Sequence, residues 1–174
     1  MIDTTTQETD CIAAYREMHL NPKRFRGYSI KYVLPDIVSL VQETGAKTLL
    51  DYGSGKGFQY SERRVHDQWE GIMPTLYDPG VTEFSVKPRG KFDGVICTDV
   101  LEHIPEEDVL TVLGEIFSYA RLFVVLAVHT GPSRKCLPDG RNCHLTQRPP
   151  EWWKERLHAK SAELRVVARF SARG

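Results

Sequence analysis

Thr48-Leu49-Leu50-Asp51-Tyr52-Gly53-Ser54-Gly55-Lys56-Gly57 is the stretch whose reading decides the fold. A short apolar run ends at an acid, Asp51, and three glycines then alternate at Gly53, Gly55 and Gly57. Glycine tolerates positive φ and lets a ligand come close to the backbone. The pattern therefore reads as a strand that stops at a ligand and turns into a helix. Taken alone, a glycine loop is also a plain strand-to-helix turn. The second acid, Asp78, closes the apolar run Thr75-Leu76-Tyr77 one βαβ step later and is followed by Pro79. An acid at that offset suits hydrogen bonds to ribose hydroxyls.

Two cofactor classes fit such a unit. Dinucleotide enzymes use G-x-G-x-x-G, which seats a pyrophosphate on a helix N-terminus. The spacing here is G-x-G-x-G, with an acid two residues ahead of the first glycine. Further along, Phe92-Asp93-Gly94-Val95-Ile96-Cys97-Thr98-Asp99-Val100-Leu101-Glu102-His103-Ile104 is an apolar strand that runs into a polar cluster. In order, these segments resemble the class I S-adenosylmethionine (SAM) dependent methyltransferases, over about residues 48–129. The resemblance implies a Rossmann-like, doubly wound α/β fold with SAM as cofactor. It places Asp51 towards the ammonium end of SAM and Asp78 at its ribose. Gly53, Ser54, Gly55, Gly57 and Pro79 shape the cofactor turn, and Asp99 and Val100 lie near its methionine and adenine parts.

The polar cluster carries a second, narrower similarity. Asp99, Glu102 and His103 can meet within one turn of chain, and carboxylates with an imidazole suit a divalent metal. Downstream come Arg141-Asn142-Cys143-His144 and then Glu151-Trp152-Trp153. This is similar to the metal-dependent methyltransferases that modify the 2′-hydroxyl at RNA 3′ ends. That family has Glu-x-x-Glu-His followed by an Arg-Asn segment with a histidine ahead of an aromatic helix. Carried over, the metal ligands are Asp99, Glu102, His103 and His144, with Mg or Mn as the ion. The bland alternative is that the Val-Leu-Glu-His-Ile sequence recurs in methyltransferases that hold no metal. Cys136, Cys143 and His144 form a competing zinc set, although their spacing fits no common finger.

Around these motifs the chain is 174 residues long, enough for one domain with a core of its own. Its 23 Lys and Arg balance 23 Asp and Glu. A neutral chain argues against a long-duplex binder, where a basic excess is expected, but leaves a short RNA end open. The four cysteines are irregularly spaced and read as free thiols. No apolar run reaches membrane-spanning length and Met1-Ile2-Asp3-Thr4 is not a signal peptide, so the cytoplasm is the expected location.

Strands are expected near 48–51, 75–77, 92–97, 123–129 and 163–170, with helices near 10–20, 29–45, 60–69, 106–119 and 151–160. Residues 1–10 read as frayed. Ser29 is the expected N-cap and Gly45 the C′ residue of the helix between them, with Pro35 kinking it or marking its first turn. Too few residues separate Asp78 from Phe92 for the usual third strand. With so few residues after Phe170, the usual antiparallel seventh strand is expected to be shortened or absent. Residues 1–45 are expected to form a helical lid and residues 46–174 the SAM-binding domain. Lys23, Arg24, Arg26 and Lys31, interleaved with Phe25, Tyr28 and Tyr32, could grip an anionic acceptor or stand solvated. Arg26, Tyr28, Lys31 and Arg141 are the substrate contacts expected from this segment and from the loop after the fourth strand. Trp152 and Trp153 read as core-edge packing in preference to a base-stacking platform.

The leading expectation is an O-directed SAM methyltransferase for a small or medium acceptor. A metal-free N-methyltransferase and a SAM binder without turnover are its rivals.

Overall fold

The computed structural model describes residues 4–25, 27–158 and 164–172. Five strands form one parallel sheet in the order β2-β1-β3-β4-β5. They are β1 (Leu49–Tyr52), β2 (Thr75–Tyr77), β3 (Phe92–Thr98), β4 (Ala120–His129) and β5 (Arg165–Ser171). The α-helices are α1 (Thr4–His19), α2 (Leu34–Thr44), α3 (Phe58–Ser61), α4 (Val109–Tyr119) and α5 (Pro150–His158).

The sheet is covered on both faces, as an all-parallel sheet must be. Neighbouring residues of each strand point to opposite sides. Leu50, Val95, Cys97, Val124 and Leu126 thus meet Leu113 and Ile116 of α4 and Trp153 of α5. Leu49, Ile96, Phe123 and Val125 face Ile37, Leu40 and Val41 of α2, together with Tyr60 and Trp69. This double burial is why the strands read as continuous apolar runs and why Cys97 sits among them as a small apolar residue.

The local differences from expectation have physical causes. Helix α1 begins at Thr4, so residues 4–10 are helical where fraying is expected. The segment from Ser29 splits into a 3₁₀ turn (Tyr28–Tyr32) and α2. Pro35 falls in the first turn of α2, where a missing N–H costs nothing, and the helix runs on without a kink. Gly45 closes α2 at φ 65° with its N–H on the Val41 carbonyl. Ser29 caps no helix; its hydroxyl donates to Asp99 Oδ2 at 3.1 Å.

The expected helix over 60–69 is broken into α3 and a 3₁₀ turn (Val65–Trp69). Arg64 adopts φ 51° between them and its guanidinium grips Asp67 at 2.8 Å. The break lets Tyr60, Val65 and Trp69 all reach the same apolar cluster. Between β2 and β3 the described residues contain a 3₁₀ turn (Thr82–Phe84) in place of a third strand.

The sheet order reverses between β1 and β3. The crevice beyond their carboxyl ends is where ligands bind in open α/β sheets.

Candidate functional site

At that crevice lies a cavity of about 420 Å³. Its floor is the glycine loop. Gly53, Gly55 and Gly57 all have positive φ, at 82°, 56° and 68°. Gly53 has a steric reason as well, because a Cβ there would stand 2.2 Å from Val100 Cγ2. The amides of Gly53 and Ser54 donate to the Tyr77 carbonyl at 2.7 and 3.0 Å, which ties the loop to the end of β2.

Asp78 completes the tie. Its Oδ2 accepts the Gly55 N–H and its Oδ1 the Gly80 N–H, both at 2.8 Å. Each oxygen keeps a further lone pair, and Asp78 lines the cavity with Gly53, Ser54, Gly55 and Pro79. Asp51 sits differently. It is buried beneath the loop and its Oδ2 accepts from Gln59 Nε2 at 3.0 Å and from the Tyr60 hydroxyl at 2.7 Å. Burial pushes its carboxyl up to about 6, against the lowering effect of those two bonds. Gln59 is the side chain of this group that lines the cavity, and its Oε1 is buried without a partner. Gly57 lies behind the loop, where a Cβ would be 2.7 Å from Leu76 Cδ1.

Asp99 and His103 line the opposite wall, and His144 is buried beside them without reaching the cavity. Asp99 ends β3 at φ 61°, a left-handed conformation that a non-glycine residue adopts at a cost. It is within reach of His103 and His144, whose ligand atoms and its own all lie within 4.8 Å of one another. His103 Nδ1 is 2.9 Å from the Cys143 carbonyl, and His144 Nδ1 is 2.6 Å from the Gly131 carbonyl. A carbonyl only accepts, so Nδ1 carries the proton in both rings and both Nε2 atoms keep lone pairs. Burial pulls His103 down to about 4, partly opposed by Asp99, and lowers His144 too. Two neutral imidazoles and a carboxylate thus converge as acceptors. An orienting carbonyl on the far nitrogen is the usual arrangement around a metal-binding histidine, so the donor set fits a divalent cation.

Glu102 stands apart from that set. It is fully buried and its Oε1 accepts the His129 N–H at 2.6 Å. Its Oε2 has no hydrogen-bond partner. Burial, with Asp99 beside it, raises the carboxyl well above its ordinary range. The zinc alternative does not assemble: Cys143 Sγ is buried against Met18 Sδ at 4.0 Å while Cys136 is exposed. Asp99, His103 and His144 are the metal-capable group among the described residues.

Helix α1 and the loop after it roof the cavity. Tyr15, His19, Lys23, Phe25 and Tyr28 line it, with Lys135 from the loop after β4. Lys135 lies 5.0 Å from the centre of the Phe25 ring, and Phe25 itself has φ 52°. Lys56 of the glycine loop donates to the Asn21 and Arg24 carbonyls and so staples the roof to the floor. Helix α2, by contrast, packs in the core. Of the expected substrate residues, Tyr28 lines the cavity beneath the Arg63 guanidinium. Lys31 lies over the Tyr32 ring, Arg141 pairs with Asp139 at 2.7 Å, and Arg26 lies outside the described residues. Trp153 is core, and Trp152 is stacked under Arg156 at 3.4 Å.

Sequence reading missed Tyr15, His19 and Gln59. The Tyr15 and His19 pair, spaced i and i+4, is the one available sign that α1 shows an aromatic face.

No family model and no curated protein matches the chain. Among solved structures it is similar to an O-methyltransferase family protein from Burkholderia thailandensis. That likeness has a TM-score of 0.54 and 13% identity, and covers 91% of this chain and 55% of the other. The chain therefore has the fold of that protein and spans about half its length. A structure titled as a DhpI-SAH complex matches with a TM-score of 0.47 and 16% identity, over 87% of this chain and 85% of that one.

Proposed function

We propose that the chain is a SAM-dependent methyltransferase that acts on a hydroxyl of a small or medium acceptor with help from a divalent cation. The observation that carries this reading is the cavity itself. A glycine loop clamped by Asp78 forms one side of it, and Asp99 and His103 line the other, with the buried His144 within reach of both.

SAM supplies an electrophilic methyl group on a sulfonium sulfur. The residues of the chain account for the rest. The glycine loop keeps side chains out of the way of the cofactor, and the spare lone pairs of Asp78 suit ribose hydroxyls. Gln59, whose Nε2 is spent on Asp51 and Ser54, keeps an unpartnered Oε1 that the amino end would reach only by uncovering it from beside Gly27. Asp51 then acts through Gln59. Val100 packs against the loop and fixes one side of the cavity.

Asp99, His103 and His144 would hold the cation, and a nitrogen-rich set favours Mn²⁺ over Mg²⁺. A cation held there would supply a lowered pKa and a fixed orientation for an acceptor hydroxyl. Burial weakens His103 as a base, which favours the metal reading over metal-free base catalysis. The roof residues Lys23 and Lys135 suit an acceptor that carries a carboxylate or phosphate.

Transfer of labelled methyl groups from SAM to a panel of acceptors tests this. The panel should hold hydroxylated carboxylates, sugar phosphates, amines and a short RNA 3′ end. The expected result is label on an anionic hydroxyl compound, lost on chelation and restored by Mn²⁺. Label on amines that survives chelation would sink the oxygen-and-metal reading.

A further inference from the structure

One member of the polar cluster comes from outside the sheet. Tyr15, on α1, reaches down to donate its hydroxyl to the Cys143 carbonyl at 2.6 Å. The same oxygen lies 2.9 Å from His103 Nδ1. The phenol proton is spent on the carbonyl, so Tyr15 accepts from the Nδ1–H, which it shares with Cys143. The ring of Tyr15 also meets His103 edge-on at 5.3 Å. His144, the next residue after Cys143, stacks edge-on against His103 at 4.9 Å.

We infer that Tyr15 is a positioning residue for the cluster: its hydroxyl, bonded to both the Cys143 carbonyl and the His103 Nδ1–H, holds the His103 ring against the Cys143–His144 peptide and so keeps in place the tautomer that the carbonyl selects. Without it the Nδ1–H keeps one acceptor and the Cys143 carbonyl one donor. The His103 ring could then turn over or exchange its proton to Nε2. Either event removes one of the converging lone pairs.

The consequence reaches across the cavity, because α1 is seated at both ends of it. Arg16 donates to the Pro79 carbonyl at 3.1 Å, and the His19 ring lies against Gly80, on the ribose side of the pocket. Docking of α1 over the cofactor pocket therefore brings the Tyr15 hydroxyl into the acceptor-side cluster. The functional meaning rests on the metal reading above, but the tautomer does not.

Long-range ¹⁵N–¹H spectra of the histidine rings in chelator-treated protein give the direct test. Wild type should show His103 and His144 each as a single Nδ1–H tautomer. Tyr15→Phe keeps the aromatic packing and should leave His103 divided between tautomers, with unchanged affinity for S-adenosylhomocysteine. Arg16→Ala loosens α1 elsewhere and should leave the His103 signal as in wild type. An unaltered His103 signal in Tyr15→Phe, or the same alteration in both variants, overturns the inference. Cobalt titration followed in the visible adds the functional arm: Tyr15→Phe should bind Co²⁺ about 10-fold more weakly, a typical loss for a partner behind a metal ligand. Wild type that binds no cobalt counts against the metal reading alone, and the tautomer comparison still decides Tyr15.

Discussion

Asp51 and Asp78 close equivalent strands, yet the fold gives them opposite surroundings. Asp78 is held by two backbone N–H groups at the cavity wall, and Asp51 is sealed beneath the loop. Two predictions separate them. Asp78→Ala removes the ribose acceptor and frees the Gly55 and Gly80 amides. It should weaken S-adenosylhomocysteine binding by about 10- to 100-fold, the scale of losing charge-assisted hydrogen bonds, with the far-ultraviolet circular dichroism unchanged. Equal affinity would remove the ribose assignment. Asp51, pushed up to about 6, binds its proton more tightly in the folded than in the unfolded chain. Its contribution to stability is therefore fully present below the unfolded value near 4 and is lost as pH rises through 6. Asp51→Asn should abolish this fall, so stability relative to wild type rises by about 2 kcal/mol between pH 4 and pH 7. Urea melts at both pH values check it, and a pH-independent difference would contradict it.

At the level of elements, the strands were legible because burial on both faces leaves an unbroken apolar run that polar turns bracket. Lys91 and Asp99, for instance, stand on either side of β3. The missing third strand was legible from chain length alone. The break at Arg64 was not, because Tyr60, Val65 and Trp69 are placed by the cluster they bury into and not by local helix preference. Nor was the role of α1: Cys11, Ala14, Tyr15 and Met18 make a short packed stripe, but its contact with His103 depends on a helix and a loop nearly ninety residues apart. Asp99 and His103 were legible from their spacing within one turn of chain, and His144 only through the family resemblance. The sidelining of Glu102 by the His129 amide needs coordinates. Within the sheet, Gly94 has a role that its sequence context conceals. A Cβ there would lie 2.2 Å from the buried Phe123 ring and 2.8 Å from Leu49 Cδ2. Gly94→Ala should cost about 1–3 kcal/mol by overpacking, read as a lower midpoint in urea with an unchanged slope. Undiminished stability would mean that the Phe123 ring yields freely.

The whole molecule is a sheet with the glycine loop on one side of the crevice, Asp99 and His103 on the other, and α1 with its loop bridging them. A bridge of this kind should tighten when the cavity fills. Hydrogen exchange on adding S-adenosylhomocysteine should slow at residues 15–25 and 53–57 together, while β4 and β5 are unaffected. Protection of the glycine loop alone would mean that the roof does not respond to the cofactor. No helix among the described residues is long and apolar enough to cross a membrane. The most direct test of the central claim is calorimetric titration of the purified chain with S-adenosylhomocysteine. A dissociation constant in the micromolar range, lost in Asp78→Ala, is what the account predicts. An absence of heat at millimolar ligand would contradict it and leave the glycine loop as nothing more than a turn.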